Sequence, residues 1–480
     1  MPPGFLLGVA TAGYQVEGGF NGAGQPANNW QAWEQVGRVA PSGDAVGFWE
    51  RPEEALDRAA ALGCDSFRLG IEWARVVPDR GGVDQDALDR YRAIVEACAD
   101  RGLTPLVTLH HFTHPAWLGE DLWLRPDAPA RFAAYARLVV STLADVVRHW
   151  VTLNEINVLA LMSYVLGEFP PGRRGAFGDA AVALDHLLSA HVFAYDAIHA
   201  ERPDAVVTTN NASVSVYEYD RLLVDLLLAR SHGVERRDLD DWVAERRRRH
   251  YDLQPLPGPG EQLLRRAAAR LATYAGPRGR RGGPRGALDA LEASPHARTL
   301  DVLGIDWYDP MAARHFRVPG HRTAGGRSAA PARELWDDVP DPGGLARWLS
   351  VQHELAPGLA LWVVENGLCN RVVDGRSYDR LDGWDRPRYL REHLAAVAAA
   401  VAAGLPVEGY WHWSLVDNYE WGSYEPRFGI HGVDRSRGPR GGTWMESDAM
   451  GRDSAGVYRR LITGMRTGDR SVLDLSLIHI

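Results

Sequence analysis

The chain has 480 residues, of which 45% are hydrophobic and 24% are charged, and this composition excludes disordered and fibrous proteins. Its 62 acidic residues outnumber its 53 basic ones, and the net charge of −9 gives no electrostatic reason to bind nucleic acid or an anionic membrane. All the basic residues are arginine, and a chain without lysine excludes Schiff-base catalysis and a Walker-type phosphate loop.

Cysteine usage and the first residues bear on the location of the protein. Cys64, Cys98 and Cys369 have neither the spacing of a zinc site nor the even number of a disulfide framework. The N-terminal residues enter an apolar run directly, without the basic and long apolar parts of a signal peptide. No apolar run approaches the roughly 20 residues of a membrane-spanning helix. We therefore expect a cytoplasmic protein that does not cross a membrane.

Short apolar runs alternate with amphipathic helical patterns, such as Pro52–Leu62, Asp86–Arg101 and Ala128–Val147. The runs are Phe5–Ala10, Ser66–Gly70, Pro105–Leu109, His149–Leu153, Ala205–Thr209, Asp301–Ile305, Leu361–Val364 and Pro406–His412. Buried parallel strands read as continuous apolar runs, and eight of them separated by helices predict a single (β/α)₈ TIM barrel with extended βα loops. A doubly wound sheet is the alternative, but no Gly-x-Gly-x-x-Gly follows the first run.

Two further segments need an interpretation. The basic run Arg246–His250 suggests nucleic-acid binding, but neighbouring acidic residues favour a solvated helix face. Residues 475–480 resemble the in-frame translation of a transposon end used in preparing sequencing libraries. We therefore expect one catalytic barrel over residues 1–474, followed by a non-native tail without function.

Two of the apolar runs are followed by a glutamate. Asn154-Glu155 directly follows the fourth run, and Glu365-Asn366 directly follows the seventh. Function in a barrel gathers at the C-terminal ends of the strands, and strands four and seven lie nearly across the barrel from each other. Two carboxyl groups facing one bond are what glycoside cleavage requires. A single strand-end glutamate would be better explained by an ion pair with arginine, whereas the pair favours glycoside chemistry.

Five motifs in order resemble family 1 glycoside hydrolases, the β-glucosidase and β-galactosidase group, from Phe5 to about Leu461. They are Phe5–Gly18, Phe67–Pro78, Thr152–Glu155, Glu365–Gly367 and Trp413–Trp421. Each motif alone is weak evidence for the family, but the five together, in this order and at this spacing, are specific to it. The resemblance implies a retaining β-glycosidase that releases the non-reducing terminal β-D-glucosyl, galactosyl or fucosyl residue of small β-glycosides.

The resemblance also assigns the catalytic residues. Glu155 matches the acid/base and Glu365 the nucleophile of a double displacement, which implies carboxyl groups about 5–5.5 Å apart. Arg68 and Tyr308 match the residues that hold the nucleophile. Glu155 must keep its proton near neutral pH, whereas Glu365 must stay ionised.

The expected sugar site is formed by six further residues, and a seventh lines the aglycone side. The hydrogen-bonding residues are Gln15, His111, Asn154, Glu420 and Trp421, with Trp413 as the stacking floor and Trp336 at the aglycone. Tryptophan suits this task because its ring stacks on the apolar face of a sugar. In the branch of the family specific for 6-phosphoglycosides, the glutamate that corresponds to Glu420 is absent, and a serine-lysine pair binds the phosphate. This chain has the glutamate and contains no lysine, so we expect a substrate without phosphate.

Four residues depart from the family pattern. Ile156 replaces a proline, Phe112 and Trp307 replace aromatic residues, and Asp306 stands where asparagine is usual. An ionised Asp306 would add a third negative charge and raise the pKa of neighbouring glutamates.

No metal or organic cofactor is expected. His110–His114 suggests a metal site, but adjacent strand residues point to opposite faces, so His110 and His111 would not readily share one ion.

A transglycosidase on the same scaffold and a catalytically silent sugar-binding barrel remain alternatives. A family variant without a carboxylate acid/base is disfavoured by Glu155.

Overall fold

A computed structural model describes residues 1–214, 216–254, 285–308, 335–337, 340–436, 438 and 441–473. The predicted tail over residues 475–480 lies outside this described part. Within the described ranges, none of the helices combines the length and the apolar character that crossing a lipid bilayer requires.

Eight parallel strands close into a barrel in which each strand pairs with its sequence neighbours and the last pairs with the first. We number them β1 to β8: Leu6–Ala10, Ser66–Gly70, Thr104–Thr108, His149–Asn154, Val206–Ala212, Val302–Trp307, Ala360–Asn366 and Val407–Trp413. Each of the eight predicted runs coincides with one of these strands. The predicted (β/α)₈ barrel is confirmed, and the doubly wound alternative is wrong.

Helices fill the connections around the barrel. The α-helices are Gly13–Val16, Gln31–Gln35, Pro52–Ala61, Trp73–Val76, Gln85–Asp100, Ala128–Leu143, Ile156–Leu161, Phe177–Glu201, Leu222–Leu228, Leu239–Asp252, Arg285–Ala293, Pro342–Leu355, Arg386–Ala402 and Ser454–Thr467. Short 3-10 helices cover Ala116–Leu118, Leu122–Leu124, Ala229–His232, Arg236–Asp238, Leu335–Asp337 and Arg470–Val472, and π-helices cover Met162–Leu166 and Tyr217–Arg221. Small antiparallel sheets join Pro426–Arg427, Asn370–Val373 and Arg376–Tyr378, and Val433–Asp434 with Thr443–Trp444.

Local sequence explains where several helices begin. Asp84 precedes Gln85–Asp100, and its carboxylate accepts a hydrogen bond from the Ala87 N–H at 2.9 Å. Asp385 does the same for the Arg388 N–H at 2.8 Å, and a proline follows in the first turn. These caps satisfy amide groups that have no partner inside the helix. The three helical patterns predicted above are confirmed, with ends that differ by a few residues.

The basic run lies on the helix Leu239–Asp252, as predicted, but part of it is not a solvated face. Arg246 is 7% exposed, and its guanidinium donates to Asp225 Oδ1 at 2.9 Å. Arg247 pairs with Glu218 at 3.3 Å. The balancing carboxylates therefore come from other segments as well as from the sequence neighbours, and the expectation of a wholly solvated face is wrong at Arg246.

Candidate active site

The predicted carboxylates stand at the C-terminal ends of their strands. Glu155 directly follows β4, and Glu365 is the penultimate residue of β7. Glu155 has a backbone φ of +40°, the left-handed region that is costly for a residue with a side chain, and its N–H donates to the Asn210 carbonyl at 3.0 Å. This turn from strand into helix places the Glu155 side chain at the mouth of the barrel.

Two donors hold the carboxylate of Glu365. The Arg68 guanidinium in β2 donates to Oε1 at 2.5 Å, and the Tyr308 hydroxyl donates to Oε2 at 2.6 Å. Arg68 is fully buried, and its other N–H groups donate to Thr108 at 3.0 Å and to Asn154 at 2.6 Å. Charge-assisted hydrogen bonds of this kind stabilise the negative charge and fix its direction. The structure thus brings both predicted holding residues onto the predicted nucleophile.

The surroundings of Glu155 are the opposite of those of Glu365. No N–H or O–H group of the described residues donates to its carboxyl. Burial, and then the carboxylates of Asp306 and Glu365, raise the pKa of Glu155 well above its usual range, while Arg68 opposes them. These surroundings favour the protonated form of Glu155 over the ionised form.

Three carboxyl groups meet here. One oxygen each of Glu155, Asp306 and Glu365 lies within 4.8 Å of the others, and all three side chains are buried. Among the described residues, this is the group whose spacing suits a metal ion. However, the Arg68 guanidinium already supplies a positive charge in contact with Glu365. The predicted absence of a metal stays a prediction.

Residues from the first helix and from the segment after β8 form one side of the predicted sugar site. Gln15 Nε2 donates to Glu420 Oε2 at 3.1 Å, and the Trp413 indole N–H donates to Glu420 Oε1 at 3.1 Å. Burial raises the pKa of Glu420 to about 8. Gln15 Oε1 is buried and has no hydrogen-bond partner among the described residues. A buried polar atom without a partner is uncommon and marks a place for a polar ligand.

The other side of the site is built around His111. Its ring stacks on Trp413 with centroids 5.7 Å apart and on Trp421 with centroids 5.6 Å apart. Its Nε2 lies 3.3 Å from Asn154 Nδ2. Burial and the nearby Arg68 keep the pKa of His111 well below its usual range, so the ring is neutral. His111 Nδ1 is buried and has no partner within the described ranges, which leaves it for a sugar hydroxyl.

Trp336 is set apart from these residues. It is partly buried in the 3-10 helix after β6 and packs against the same apolar cluster as Tyr308. The Arg371 guanidinium lies 4.8 Å from its ring centroid. Its predicted role at the aglycone stays a prediction.

His110 belongs to the core. Its ring meets Trp123 edge-on at 5.2 Å and Phe132 at 6.0 Å. Burial lowers the pKa of His110 to about 3, so it is neutral.

Sequence reasoning missed three residues that shape the site. Thr108 anchors Arg68, and Asn210 donates from Nδ2 to both Asn154 Oδ1 and Asp306 Oδ2. Both lie near the C-terminal ends of strands, so the rule that found the glutamates could have found them. Tyr219 lies within electrostatic reach of Glu155, but no strand pattern marks its connecting segment.

Comparison with known proteins identifies the family. The model of glycosyl hydrolase family 1 matches residues 1–464. The chain belongs to glycosyl hydrolase family 1. This family 1 glycoside hydrolase is 30% identical to a bifunctional beta-D-glucosidase/beta-D-fucosidase of Bifidobacterium breve, over 96% of this chain and 98% of the relative. It is 27% identical to 6-phospho-beta-galactosidase 1 of Streptococcus pneumoniae, over 90% of this chain and 94% of that relative. A solved beta-glycosidase from Pyrococcus horikoshii, 26% identical, superimposes with a TM-score of 0.67 over 97% of this chain and 95% of that one.

Removing the Tyr308 hydroxyl should slow this family 1 β-glycosidase. We expect Tyr308→Phe to lower kcat/KM for aryl β-glycosides about 10- to 100-fold, because a hydrogen bond to a charged group contributes about 1.5–3 kcal/mol. The control is Tyr135→Phe, which loses a buried hydrogen bond to the Ile71 carbonyl away from the carboxylates. Steady-state kinetics of the two variants decides, and equal losses would argue against a specific effect on Glu365.

Proposed function

We propose that this glycosidase retains anomeric configuration and hydrolyses the terminal β-D-glucosyl, galactosyl or fucosyl residue of small β-glycosides without phosphate. The closeness of the two carboxyl groups carries the proposal, since one oxygen of Glu155 lies within 4.8 Å of one oxygen of Glu365. Retaining glycosidases have carboxyl groups about 5–5.5 Å apart, whereas inverting enzymes hold them about 6.5–9.5 Å apart to admit water.

The two carboxyl groups then act in sequence. A Glu365 oxygen bonds to the anomeric carbon as the glycosidic C–O bond breaks, and Glu155 gives its proton to the leaving oxygen. Glu155 next removes a proton from water, whose oxygen attacks the anomeric carbon and releases the Glu365 carboxylate. Arg68 and Tyr308 orient Glu365 for attack.

The polar groups of the sugar site support a substrate without phosphate. Glu420 is held by Gln15 and Trp413, and neither of these carries the positive charge that a phosphate group needs. The chain contains no lysine. These features favour a substrate without phosphate.

We also infer a cytoplasmic location. Cys64, Cys98 and Cys369 are each buried and unpaired, which suits a reducing compartment.

A panel of nitrophenyl β-glycosides tests the proposal. The protein should turn over the glucoside, galactoside or fucoside, and proton NMR should show the β-anomer of the sugar as the first product. Glu365→Gln should abolish that turnover, and an added alcohol acceptor will measure transglycosylation. An α-anomer formed first, or turnover of a 6-phosphogalactoside alone, would overturn the proposal.

A further inference from the structure

Asp306 is a buried carboxylate with one oxygen that has no hydrogen-bond partner among the described residues. It lies in β6, where it is paired with Ala212 of β5 and Glu365 of β7, and its side chain is fully buried. Its Oδ2 accepts a hydrogen bond from Asn210 Nδ2. Its Oδ1 receives none from any N–H or O–H group of the described residues. A buried acceptor without a donor is costly, so a donor is required.

The carboxyl of Glu155 matches this need. An oxygen of Glu155 lies within 4.8 Å of an oxygen of Asp306, and no N–H or O–H group in the described part of the chain donates to Glu155. Glu365, in contrast, has Arg68 and Tyr308 as donors. If one proton resides among the three carboxyl groups, it belongs on Glu155, because Glu365 and Asp306 each accept a hydrogen bond from a described residue and Glu155 accepts none.

We propose that Asp306 accepts a hydrogen bond from the protonated carboxyl of Glu155 and acts as a positioning residue for the catalytic proton. This inference rests on the acid/base role proposed above for Glu155. Burial and then the Glu365 carboxylate raise the pKa of Asp306 well above its usual range, whereas Arg68, the Asn210 amide and Glu155 lower it. The shared proton therefore resides on Glu155, and Asp306 is its acceptor. It holds the Glu155 proton in place against loss to solvent at alkaline pH.

The charge of the cluster supports this assignment. Three ionised carboxylates against the single guanidinium of Arg68 would leave two uncompensated negative charges in a buried site, whereas one proton leaves a single charge. When the glycosidic bond breaks, Glu155 loses its proton and Glu365 loses its charge to the sugar ester. The net charge is therefore unchanged through the step, and Asp306 makes Glu155 the stronger base for the attack by water.

Other titratable groups that face this cluster are neutral, or their effect on the pH profile can be distinguished from that of Glu155. Burial keeps the pKa of His111 well below its usual range and the pKa values of Tyr219 and Tyr308 well above theirs. The pKa of Glu420 is about 8, raised by burial and to a smaller degree by Glu365. Ionisation of Glu420 affects every substrate, whereas the Glu155 proton matters only where the leaving group needs it.

The pH dependence of kcat/KM tests the proposal with Asp306→Asn, which removes the charge and keeps the shape. For a substrate with a poor leaving group, such as methyl β-glucoside, we expect the alkaline fall of kcat/KM to occur about one pH unit lower in the variant. At a given pH on that side of the profile, this shift is a loss of about tenfold. For 2,4-dinitrophenyl β-glucoside the profile should barely move. An unchanged limb, or equal losses with both substrates, would overturn the proposal.

An infrared measurement does not depend on turnover. In the difference spectrum between neutral and alkaline pH, the protonated carboxyl absorption of the wild-type protein should disappear at a higher pH than in Asp306→Asn. Glu72, whose pKa burial raises to about 7, and Glu420 are common to both proteins and cancel. Identical spectra would overturn proton sharing even if the protein cleaves no glycoside. Should Asp306→Asn fail to fold, the smaller Asp306→Ser gives the same comparison.

Discussion

Replacing Glu365 with glycine should reduce the hydrolysis of aryl β-glycosides by about 10⁴-fold or more, because the group that attacks the anomeric carbon is lost. The substitution also opens space beside Arg68 and Tyr308, which remain as donors to an anion. Added azide or formate should therefore restore part of the activity with a dinitrophenyl glycoside. Azide attacks the sugar directly, so the product should be the inverted α-glycosyl azide, identified by NMR.

Glu365→Gln is the matched control for that rescue. It removes the negative charge but fills the same volume, so azide should restore little activity. Both variants leave the fully buried Arg68 without its ion pair, a change that typically costs about 3–5 kcal/mol of stability. Circular dichroism should therefore accompany the kinetics. A folded Glu365→Gly protein with near wild-type turnover, or a β-glycosyl azide product, would show that another group is the nucleophile.

The fold was predictable because a barrel strand is buried on both faces and so reads as an unbroken apolar run. The residues at which the strands end were less predictable. The fifth run was predicted to end at Thr209, but β5 continues to Ala212 through Asn210 and Asn211. Polar residues can continue this strand because Asn210 hydrogen-bonds to Asn154 and Asp306 within the site.

The candidate site was predictable where it depends on strand ends, and not where it depends on connecting segments. Glu155 and Glu365 follow from the barrel order, since each closes a strand. The approach of Tyr219 to Glu155 and the burial of Arg246 against Asp225 depend on how helices between strands pack. No local pattern in the sequence records that packing.

Glu155→Ala should separate substrates by their leaving groups. In the wild-type protein, burial and then the neighbouring carboxylates raise the pKa of Glu155 well above its usual range, which favours the protonated acid. Activity should therefore fall as pH rises through that pKa. For methyl β-glucoside, which needs protonation, kcat/KM should fall about 10²- to 10⁴-fold. For 2,4-dinitrophenyl β-glucoside it should change little, and the alkaline limb that depends on Glu155 should disappear.

Azide distinguishes the two glutamates from each other. In Glu155→Ala the nucleophile is intact, so azide should intercept the glycosyl-enzyme and give the β-glycosyl azide, opposite to the product expected from Glu365→Gly. The control is Glu168→Ala, which removes an exposed carboxylate paired only with Arg174 among the described residues and should leave both substrates unaffected. Equal losses for activated and unactivated substrates in Glu155→Ala would show that Glu155 is not the acid. Asp306, the neighbouring carboxyl with a raised pKa, would then be the group to test in that role.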